Sequence, residues 1–386
     1  MNVLLLSAYA AQSHVYWQEA LFAMFPQWQW RVLSLPPRHF SWRVRGNPLY
    51  WALEEGETLA AGYDLVVATS MVDLATLRGL VPVLAVVPTI VYFHENQFEY
   101  PVVERNADAG GRLQHSNNLL EAQMVSLYSA LAADHLVFNS HYNLTSFHSG
   151  CQALLKRLPD KVPAGIVSLL RDKASVLPVP LKGATPMAPR DSSIWGDECI
   201  PYPQRPLRLV WVGRFEHDKG GDRLLQILQQ LELTSLDYKL AVIGQQFRHS
   251  PQEFNHIETQ FAHRLVQFGY IESRSDYLAA LADADIVLST ALHEFQGLAI
   301  LEAVAAGCIP VLPHRLVYPE IISEAYCYTS YLDDIQCEAQ AAVTLLCNNA
   351  QTLAEGGGNH PDVSRFTRFA LLPQYQALFC TAADGV

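Results

Sequence analysis

The sequence predicts an α/β protein of two doubly wound parallel-sheet domains that face each other across a cleft. Its 386 residues are about twice the usual length of one domain, and 50% of them are hydrophobic, so two cores are possible. Strand-like and helix-like segments alternate in both halves, which is typical of parallel sheets covered by helices on both faces. A proline-rich stretch at 178–206 without helical periodicity separates the halves.

Short apolar runs in the first half predict buried strands. They cover residues 2–6, 31–35, 65–68, 90–93 and 135–138. Helix-like patterns at 16–25 and 111–132 lie between some of these runs. Because strands buried on both faces of a parallel sheet are apolar along their length, we place an N-terminal Rossmann-like domain at 1–185.

The same alternation restarts in the second half. Its predicted strands cover 207–212, 240–243, 265–268, 286–288 and 309–312, and its predicted helices cover 221–231, 276–284 and 298–306. We place a linker at 186–206 and a C-terminal Rossmann-like domain at 207–362. A final helix and tail occupy 363–386, and the sequence leaves open whether this helix returns to the N-terminal domain.

The composition narrows the class of protein. No apolar run approaches the ~20 residues of a membrane-spanning helix, and the start of the sequence lacks the pattern of a signal peptide. The seven cysteines are scattered singly, which favours reduced thiols and gives no zinc-binding spacing. We therefore expect a cytoplasmic protein without integral membrane association.

The charge is unevenly divided along the chain. Residues 1–190 hold 14 basic and 14 acidic side chains, whereas residues 191–386 hold 12 basic and 24 acidic ones, so the net charge of −12 lies in the second half. A field of this sign disfavours indiscriminate binding of nucleic acid. A polyanionic partner is therefore expected to engage the first half, through local contacts.

The strongest functional motif is HEFQGLAILEA at 293–303, which follows a predicted strand. Its glycine stands where a loop turns into a helix. The free backbone amides of Gln296, Gly297 and Leu298 are expected to point at a phosphate, helped by the positive end of the helix dipole. An ordinary helix start with a solvated acid is the alternative.

Two acidic side chains stand eight positions apart in this motif. Glu294, on the loop, is expected to face a sugar. Glu302, within two helical turns, is expected to accept hydrogen bonds from ribose hydroxyls.

A second motif, GRFEHDKGG at 213–221, follows the first strand of the second domain. Arg214 and Lys219 would converge at a strand's carboxyl end and suit a diphosphate whose charge grows as a sugar leaves. No Asp-x-Asp signature follows a strand. Basic residues, rather than a divalent cation, are expected to neutralise the diphosphate, and no metal site is expected.

The first domain carries HENQ at 94–97, again after a predicted strand. A neutral His94 could donate a hydrogen bond to a sugar or acceptor hydroxyl, and Glu95, Asn96 and Gln97 could orient hydroxyls. A buried or capping histidine is the alternative.

Several segments together carry a resemblance to a known family. They are WRVR at 42–45, HENQ at 94–97 with YP at 100–101, FNS at 138–140 with Asn143 and SF at 146–147, EHDK at 216–219, and HEF through EA at 293–303. In this order they resemble the tRNA-queuosine α-mannosyltransferases. The last segment alone resembles the wider group of retaining family 4 glycosyltransferases of GT-B fold, whose two glutamates are also separated by seven residues.

The resemblance implies a GDP-mannose donor, or another nucleotide-sugar, as co-substrate, and no cofactor. The acceptor would be a hydroxyl of the queuosine cyclopentenediol in a tRNA anticodon loop. The catalytic residues would be His94, Arg214, Lys219 and Glu294, and the donor would be bound by Arg214, Lys219, Glu294, Gln296, Gly297, Leu298 and Glu302. The acceptor would be bound by Ser13, His14, Trp42, Arg43, Arg45, Asn96, Gln97, Asn139, Ser140 and Asn143.

Two parts of this acceptor set have alternative interpretations. AAQSH at 10–14 stands where the family has a glycine pair before Ser-His, and Ser13 could simply cap a helix. The segment at 38–45 interleaves basic and aromatic residues, which suits phosphate contacts and stacking on bases of a single-stranded loop. It could equally pack on the domain surface, with Trp42 anchoring the fold.

The sequence leaves other functions open. The same enzyme class could use a different sugar, or a lipid, glycan or small-molecule acceptor, although no long basic amphipathic helix stands in the first domain. A non-catalytic protein that binds sugar-nucleotides or RNA is the third possibility. The sequence does not fix the oligomeric state.

Overall fold

A computed structural model of the chain describes residues 1–99, 109–182, 193–196, 200–247, 250–358 and 360–385. For residues 109–117 it describes the backbone alone. The YP pair at 100–101 and most of the predicted linker, 186–192 and 197–199, therefore lie outside the described residues.

The chain divides into two compact units. Unit 1 consists of Met1–Pro180 and Arg368–Val386, and unit 2 consists of Leu181–Thr367. Each unit contains a six-stranded parallel sheet, so the predicted α/β class with two parallel-sheet domains is confirmed. The boundaries that we placed at 185, 206 and 362 stay predictions.

The sheet of unit 1 has the strand order β2-β1-β3-β4-β5-β6. Its strands are β1 (Asn2–Ser7), β2 (Gln29–Ser34), β3 (Leu65–Thr69), β4 (Thr89–Phe93), β5 (His135–Phe138) and β6 (Ala174–Val176). All neighbours are parallel. Sequence reasoning missed β6, because this three-residue edge strand is only partly buried and has no apolar run. The order reverses between β1 and β3, and ligands bind at such a switch point in doubly wound sheets.

Helices connect and flank the strands of this sheet. They are α1 (Gln12–Met24), α2 (Phe40–Glu54), α3 (Gly56–Leu59), α4 (Leu74–Leu80), α5 (Ala109–Ala132), α6 (His141–Arg157) and α7 (Ile166–Asp172). Helix α2 contains residues 40–45 of the basic and aromatic segment, which the sequence pattern did not assign to a helix. Pro48 lies inside it and cannot donate a backbone hydrogen bond to the carbonyl of Val44. The Asn47 side chain supplies the missing donor, with Nδ2 at 2.9 Å from that carbonyl oxygen.

The sheet of unit 2 has the order β12-β11-β10-β7-β8-β9, again with parallel neighbours. Its strands are β7 (Leu207–Val212), β8 (Tyr238–Ile243), β9 (Leu265–Gly269), β10 (Ile286–Leu288), β11 (Ile309–Pro313) and β12 (Cys327–Tyr328). Its helices are α8 (Gly221–Leu231), α9 (Gln252–Gln260), α10 (Arg274–Ala282), α11 (Leu298–Ala305), α12 (Tyr318–Ile321) and α13 (Ile335–Ala354). The switch point lies between β7 and β10, so the loops that follow these two strands are neighbours.

The last helix, α14 (Arg368–Ala383), belongs to unit 1. It packs on α1, where Trp17 Nε1 donates a hydrogen bond to Tyr375 Oη at 2.9 Å, and both side chains are fully buried. The sequence left open whether the last helix returns to the N-terminal domain, and this buried contact shows that it does.

The described part of the predicted linker belongs to unit 2, and Trp195 shows how it is packed. Trp195 is 1% exposed, and its Nε1 donates to the carbonyl of Ala280 in α10 at 2.9 Å. This part of the linker is thus anchored on unit 2.

Candidate active site

The loops that follow β7 and β10 are joined by hydrogen bonds at the switch point of unit 2. Thr290 Oγ1 accepts from Trp211 Nε1 at 2.9 Å and donates to the carbonyl of Lys219 at 2.8 Å. The next residue, Gly220, has φ 68°, and a Cβ there would lie 2.1 Å from the Thr290 carbonyl oxygen. The close approach of the two loops therefore requires glycine at this position.

The two basic side chains of the GRFEHDKGG motif converge on one carboxylate. Arg214 Nη2 and Lys219 Nζ each lie 3.5 Å from Asp218 Oδ2. Arg214 Nη1 also pairs with Glu216 Oε2 at 2.6 Å. The structure thus brings two positive charges together at the carboxyl end of β7, and acidic side chains hold both of them in place.

Lys219 also connects the two motifs. Its Nζ donates to Glu294 Oε2 at 3.1 Å and to the carbonyl of His293 at 2.9 Å. Burial alone would raise the pKa of the Glu294 carboxyl, but the Lys219 ammonium, the Gly297 amide and His293 together outweigh burial, and this pKa falls to about 2. Burial would lower the pKa of Lys219, but Glu294 and Asp218 raise it above its usual value. Both groups are therefore charged at neutral pH.

The start of α11 forms the other side of this site. Gly297 has φ 70° and precedes the first helical residue, Leu298. Glu294 Oε1 accepts from the backbone amides of Phe295 at 3.1 Å and Gln296 at 3.4 Å. A hydrogen bond from the Gly297 amide also lowers the pKa of Glu294. The loop amides therefore converge on an anion, which here is the Glu294 carboxylate, while phosphate binding by Gln296, Gly297 and Leu298 stays a prediction.

Glu302 lies further along α11 and is 10% exposed. Its carboxylate forms a two-point ion pair with Arg274, which begins α10; Nη1 lies 3.1 Å from Oε2, and Nη2 contacts Oε1. Sequence reasoning missed this partner, because Arg274 lies 28 positions away in a segment without a recognisable motif.

A buried ion network supports the loop after β10. The Glu338 carboxylate is fully buried and accepts from Arg223 Nε at 2.9 Å and Arg315 Nη1 at 2.6 Å. Arg315 also donates to the carbonyl oxygens of Ala291 at 2.8 Å and Thr290 at 3.2 Å. The network therefore fixes the backbone that leads into the HEFQG motif.

In unit 1, the loop after β4 meets the start of α1. The rings of His14 and His94 stack with centroids 4.2 Å apart, and His14 Nε2 lies 3.4 Å from Glu95 Oε1. Burial, and then the neighbouring His14, hold the pKa of His94 well below its usual value, so this imidazole is neutral. Among the described residues, His94 Nε2 and His14 Nδ1 have no hydrogen-bond partner.

The amides of the predicted acceptor set form one buried network. Asn96 Nδ2 donates to Asn143 Oδ1 and Ser146 Oγ, both at 2.9 Å. Asn143 Nδ2 donates to Asn139 Oδ1 at 2.8 Å, and Asn139 Nδ2 donates to the carbonyl of His94 at 2.8 Å. These contacts hold the 94–99 loop against the start of α6, so they orient His94.

The remaining residues of that set lie around this loop. Ser140 caps α6 by accepting from the Asn143 amide at 3.0 Å. Gln97 is buried, with Nε2 at 3.7 Å from Met71 Sδ. Ser13 is half-buried in the first turn of α1, whose capping residue is Ala11, so Ser13 is not the helix cap.

The predicted tRNA-contacting side chains of α2 differ in their exposure to solvent. Trp42 is 55% exposed and lies over Gly46, where a Cβ would come within 2.6 Å of the indole. Arg43 is half-buried, and Arg45 is half-exposed with Nη1 at 2.6 Å from Asp73 Oδ2. Trp42 therefore offers an open ring face and is not a core anchor.

The described part of the chain lacks two further features. No group of three or more His, Cys, Asp or Glu side chains within it could hold a metal ion. None of its helices combines the length and hydrophobicity that crossing a bilayer requires.

Comparison with known proteins adds two family matches. Residues 2–181 match the family described as tRNA-queuosine alpha-mannosyltransferase N-terminal, and residues 200–346 match glycosyl transferases group 1. The tRNA-queuosine alpha-mannosyltransferase of Drosophila melanogaster is 34% identical over 330 residues, which cover 85% of this chain and 84% of that protein.

Solved structures of similar fold are more distant in sequence. Sucrose-phosphate synthase from Thermosynechococcus elongatus aligns over 100% of both chains with a TM-score of 0.65 and 15% identity. Anabaena HepE in complex with UDP-glucose aligns over 99% of this chain and 100% of its own with a TM-score of 0.62 and 14% identity. At these identities the likeness establishes the fold alone, and it confirms the predicted GT-B class.

Proposed function

The chain belongs to the tRNA-queuosine alpha-mannosyltransferase family, and from this premise we propose that it transfers mannose from GDP-mannose to queuosine in tRNA. The acceptor atom is a hydroxyl oxygen of the queuosine cyclopentenediol, and the anomeric configuration of the sugar is retained. The reaction takes place in the cytoplasm, in keeping with the described cysteines, which are all free thiols.

The convergence of Arg214 and Lys219 beside Glu294 carries the donor part of the proposal. Two cations within 3.5 Å of one carboxylate oxygen can bind a diphosphate together. The backbone amides at the start of α11 lie beside them and provide further donors for anionic oxygens. Glu302 accepts hydrogen bonds from the ribose.

In the reaction, the bond between the anomeric carbon and the leaving phosphate oxygen breaks while the acceptor oxygen bonds to that carbon. The acceptor proton passes to the leaving phosphate oxygen, so no side chain has to act as a base. Arg214 and Lys219 stabilise the charge that develops on the diphosphate, because these two cations are already in place before the bond breaks. Glu294 holds the sugar hydroxyls.

Unit 1 supplies the acceptor-binding groups. His94 is buried and neutral, and its Nε2 and His14 Nδ1, which have no hydrogen-bond partner among the described residues, can bond to hydroxyls. Glu95 orients His14. The amide network of Asn96, with Asn139 and Asn143, positions the loop, and the α2 side chains Trp42, Arg43 and Arg45 contact the tRNA.

The test is a transfer assay with radiolabelled GDP-mannose and purified tRNA. We expect label in tRNA that contains queuosine and none in the same tRNA with guanine at that position. UDP-glucose and UDP-galactose serve as donor controls, and a lipid extract serves as the acceptor control. Label in the lipid fraction with none in tRNA would refute the acceptor assignment, and binding of GDP without transfer to either fraction would refute the enzymatic role.

A further inference from the structure

We propose that Arg274 is a positioning residue for the nucleoside part of the donor, acting through Glu302. It fixes the Glu302 carboxylate so that its unused lone pairs face the two ribose hydroxyls. The inference rests on the proposed function, because it assumes that a nucleoside diphosphate binds at the start of α11.

The geometry of the pair supports this role. Arg274 is the first residue of α10, and Ser273 caps that helix by accepting from the Asp276 amide at 3.3 Å. Each terminal nitrogen of the guanidinium contacts one carboxylate oxygen of Glu302, Nη1 with Oε2 and Nη2 with Oε1. The Arg274 guanidinium carbon also lies 5.1 Å from the centroid of the Tyr277 ring. The Tyr277 ring and the Glu302 carboxylate together restrict the orientation of the guanidinium.

The chemistry of a carboxylate explains why this matters for a diol. Each oxygen accepts about two hydrogen bonds, and Arg274 uses one position on each. The second position on each oxygen remains for a hydroxyl donor, so a fixed carboxylate matches two adjacent hydroxyls. Without Arg274 the three side-chain torsions of Glu302 would be free, and binding would have to restrict them.

The position along α11 also fits. Glu302 stands five residues after Gly297, which corresponds to a rise of about 7.5 Å from the helix start that adjoins Lys219 and Glu294. A diphosphate at the helix start would therefore place its ribose near Glu302. The Arg274 side chain is 45% exposed and the Glu302 side chain 10%, so the carboxylate is already largely shielded from water by the protein.

The experiment measures binding by calorimetry on the full chain, with GDP, 2′,3′-dideoxy-GDP and inorganic pyrophosphate as ligands. For Arg274→Ala we expect GDP affinity to fall about tenfold and pyrophosphate affinity to stay at the wild-type value. Wild-type protein should prefer GDP to the dideoxy analogue by about tenfold, and Arg274→Ala should bind both equally. Arg274→Lys, which keeps one contact, should give an intermediate preference.

The matched control is Arg264→Ala. Like Arg274, Arg264 is an ion-paired arginine of unit 2, and its partners are Glu232 at 3.0 Å and Asp237 at 2.8 Å. It should leave all three affinities unchanged. If Arg274→Ala weakens pyrophosphate as much as GDP, or keeps the wild-type preference for GDP over the dideoxy analogue, the inference is overturned. If Arg274→Ala does not fold, the preference measured for Arg274→Lys decides by the same criteria.

The result separates this inference from the proposed function. If wild-type protein binds GDP and transfers mannose, and the Arg274 variants keep the wild-type preference for GDP over the dideoxy analogue, only the inference is contradicted. Wild-type protein that binds neither GDP nor pyrophosphate contradicts both.

Discussion

Replacing Lys219 by methionine removes one positive charge from the switch point of unit 2 and keeps an aliphatic side chain of similar length. The ammonium donates to Glu294 Oε2 at 3.1 Å and to the carbonyl of His293 at 2.9 Å, and it lies 3.5 Å from Asp218 Oδ2. The substitution therefore leaves the Glu294 and Asp218 carboxylates close together, with Arg214 as the remaining cation of the pair.

The effect on stability follows from the pKa of Glu294. Its fall from 4.5 to about 2 corresponds to roughly 3 kcal/mol at about 1.4 kcal/mol per unit. This contribution is present above pH 4.5 in the wild type and is lost as the pH falls toward 2. In Lys219→Met the ammonium that lowers the pKa of Glu294 is gone, so burial raises this pKa. We expect a loss of about 1–3 kcal/mol in the free energy of urea unfolding at pH 7, and a smaller difference at pH 3.

The effect on catalysis is larger. Removal of one preorganised donor to a developing negative charge typically lowers kcat by about 10²–10³-fold. Single-turnover transfer from labelled GDP-mannose to queuosine tRNA measures this factor. The control is Lys239→Met, since Lys239 lies in the same unit and donates to the carbonyl of Trp195 at 3.0 Å, outside the site. A kcat for Lys219→Met equal to that of this control would refute the reasoning.

Other predictions follow from buried charge and exposed rings. His94→Gln should flatten the pH dependence of the free energy of unfolding. Because the pKa of His94 is depressed in the folded state, its contribution to stability is present above about pH 6.5 and is lost as the pH falls. An unchanged pH profile in urea unfolding would contradict this. Glu338→Ala should cost about 3–5 kcal/mol in urea unfolding, because Arg223 and Arg315 lose a fully buried partner; a loss below about 1 kcal/mol would contradict it. Trp42→Ala should weaken tRNA binding by about 1–3 kcal/mol in filter binding and leave GDP affinity unchanged, whereas equal losses for both ligands would exclude a role in stacking.

The family and fold could be predicted from sequence, because the relevant signals are local. The HEFQG and GRFEHDK motifs directly follow apolar strand runs, and parallel order brings their loops to one edge of the sheet. The family resemblance seen in five short segments is confirmed by 34% identity to a relative over 85% of the chain.

The features that were missed depend on long-range contacts or on broken local patterns. Helix α2 escaped prediction because Pro48 and Gly46 interrupt its period, and the compensating Asn47 amide is visible only in three dimensions. The Arg274 partner of Glu302 and the Arg315 contacts to the 290–291 backbone join segments that are distant along the chain. No spacing rule connects such pairs.

The return of α14 has a consequence for biosynthesis. Trp17 and its partner Tyr375 are 358 positions apart, and the whole of unit 2 is translated between them. At about 5–20 residues per second, a ribosome takes on the order of twenty seconds to a minute over that interval. During this interval the α1 surface that α14 covers in the folded chain stays exposed on the nascent first unit, while the inserted second unit can already fold.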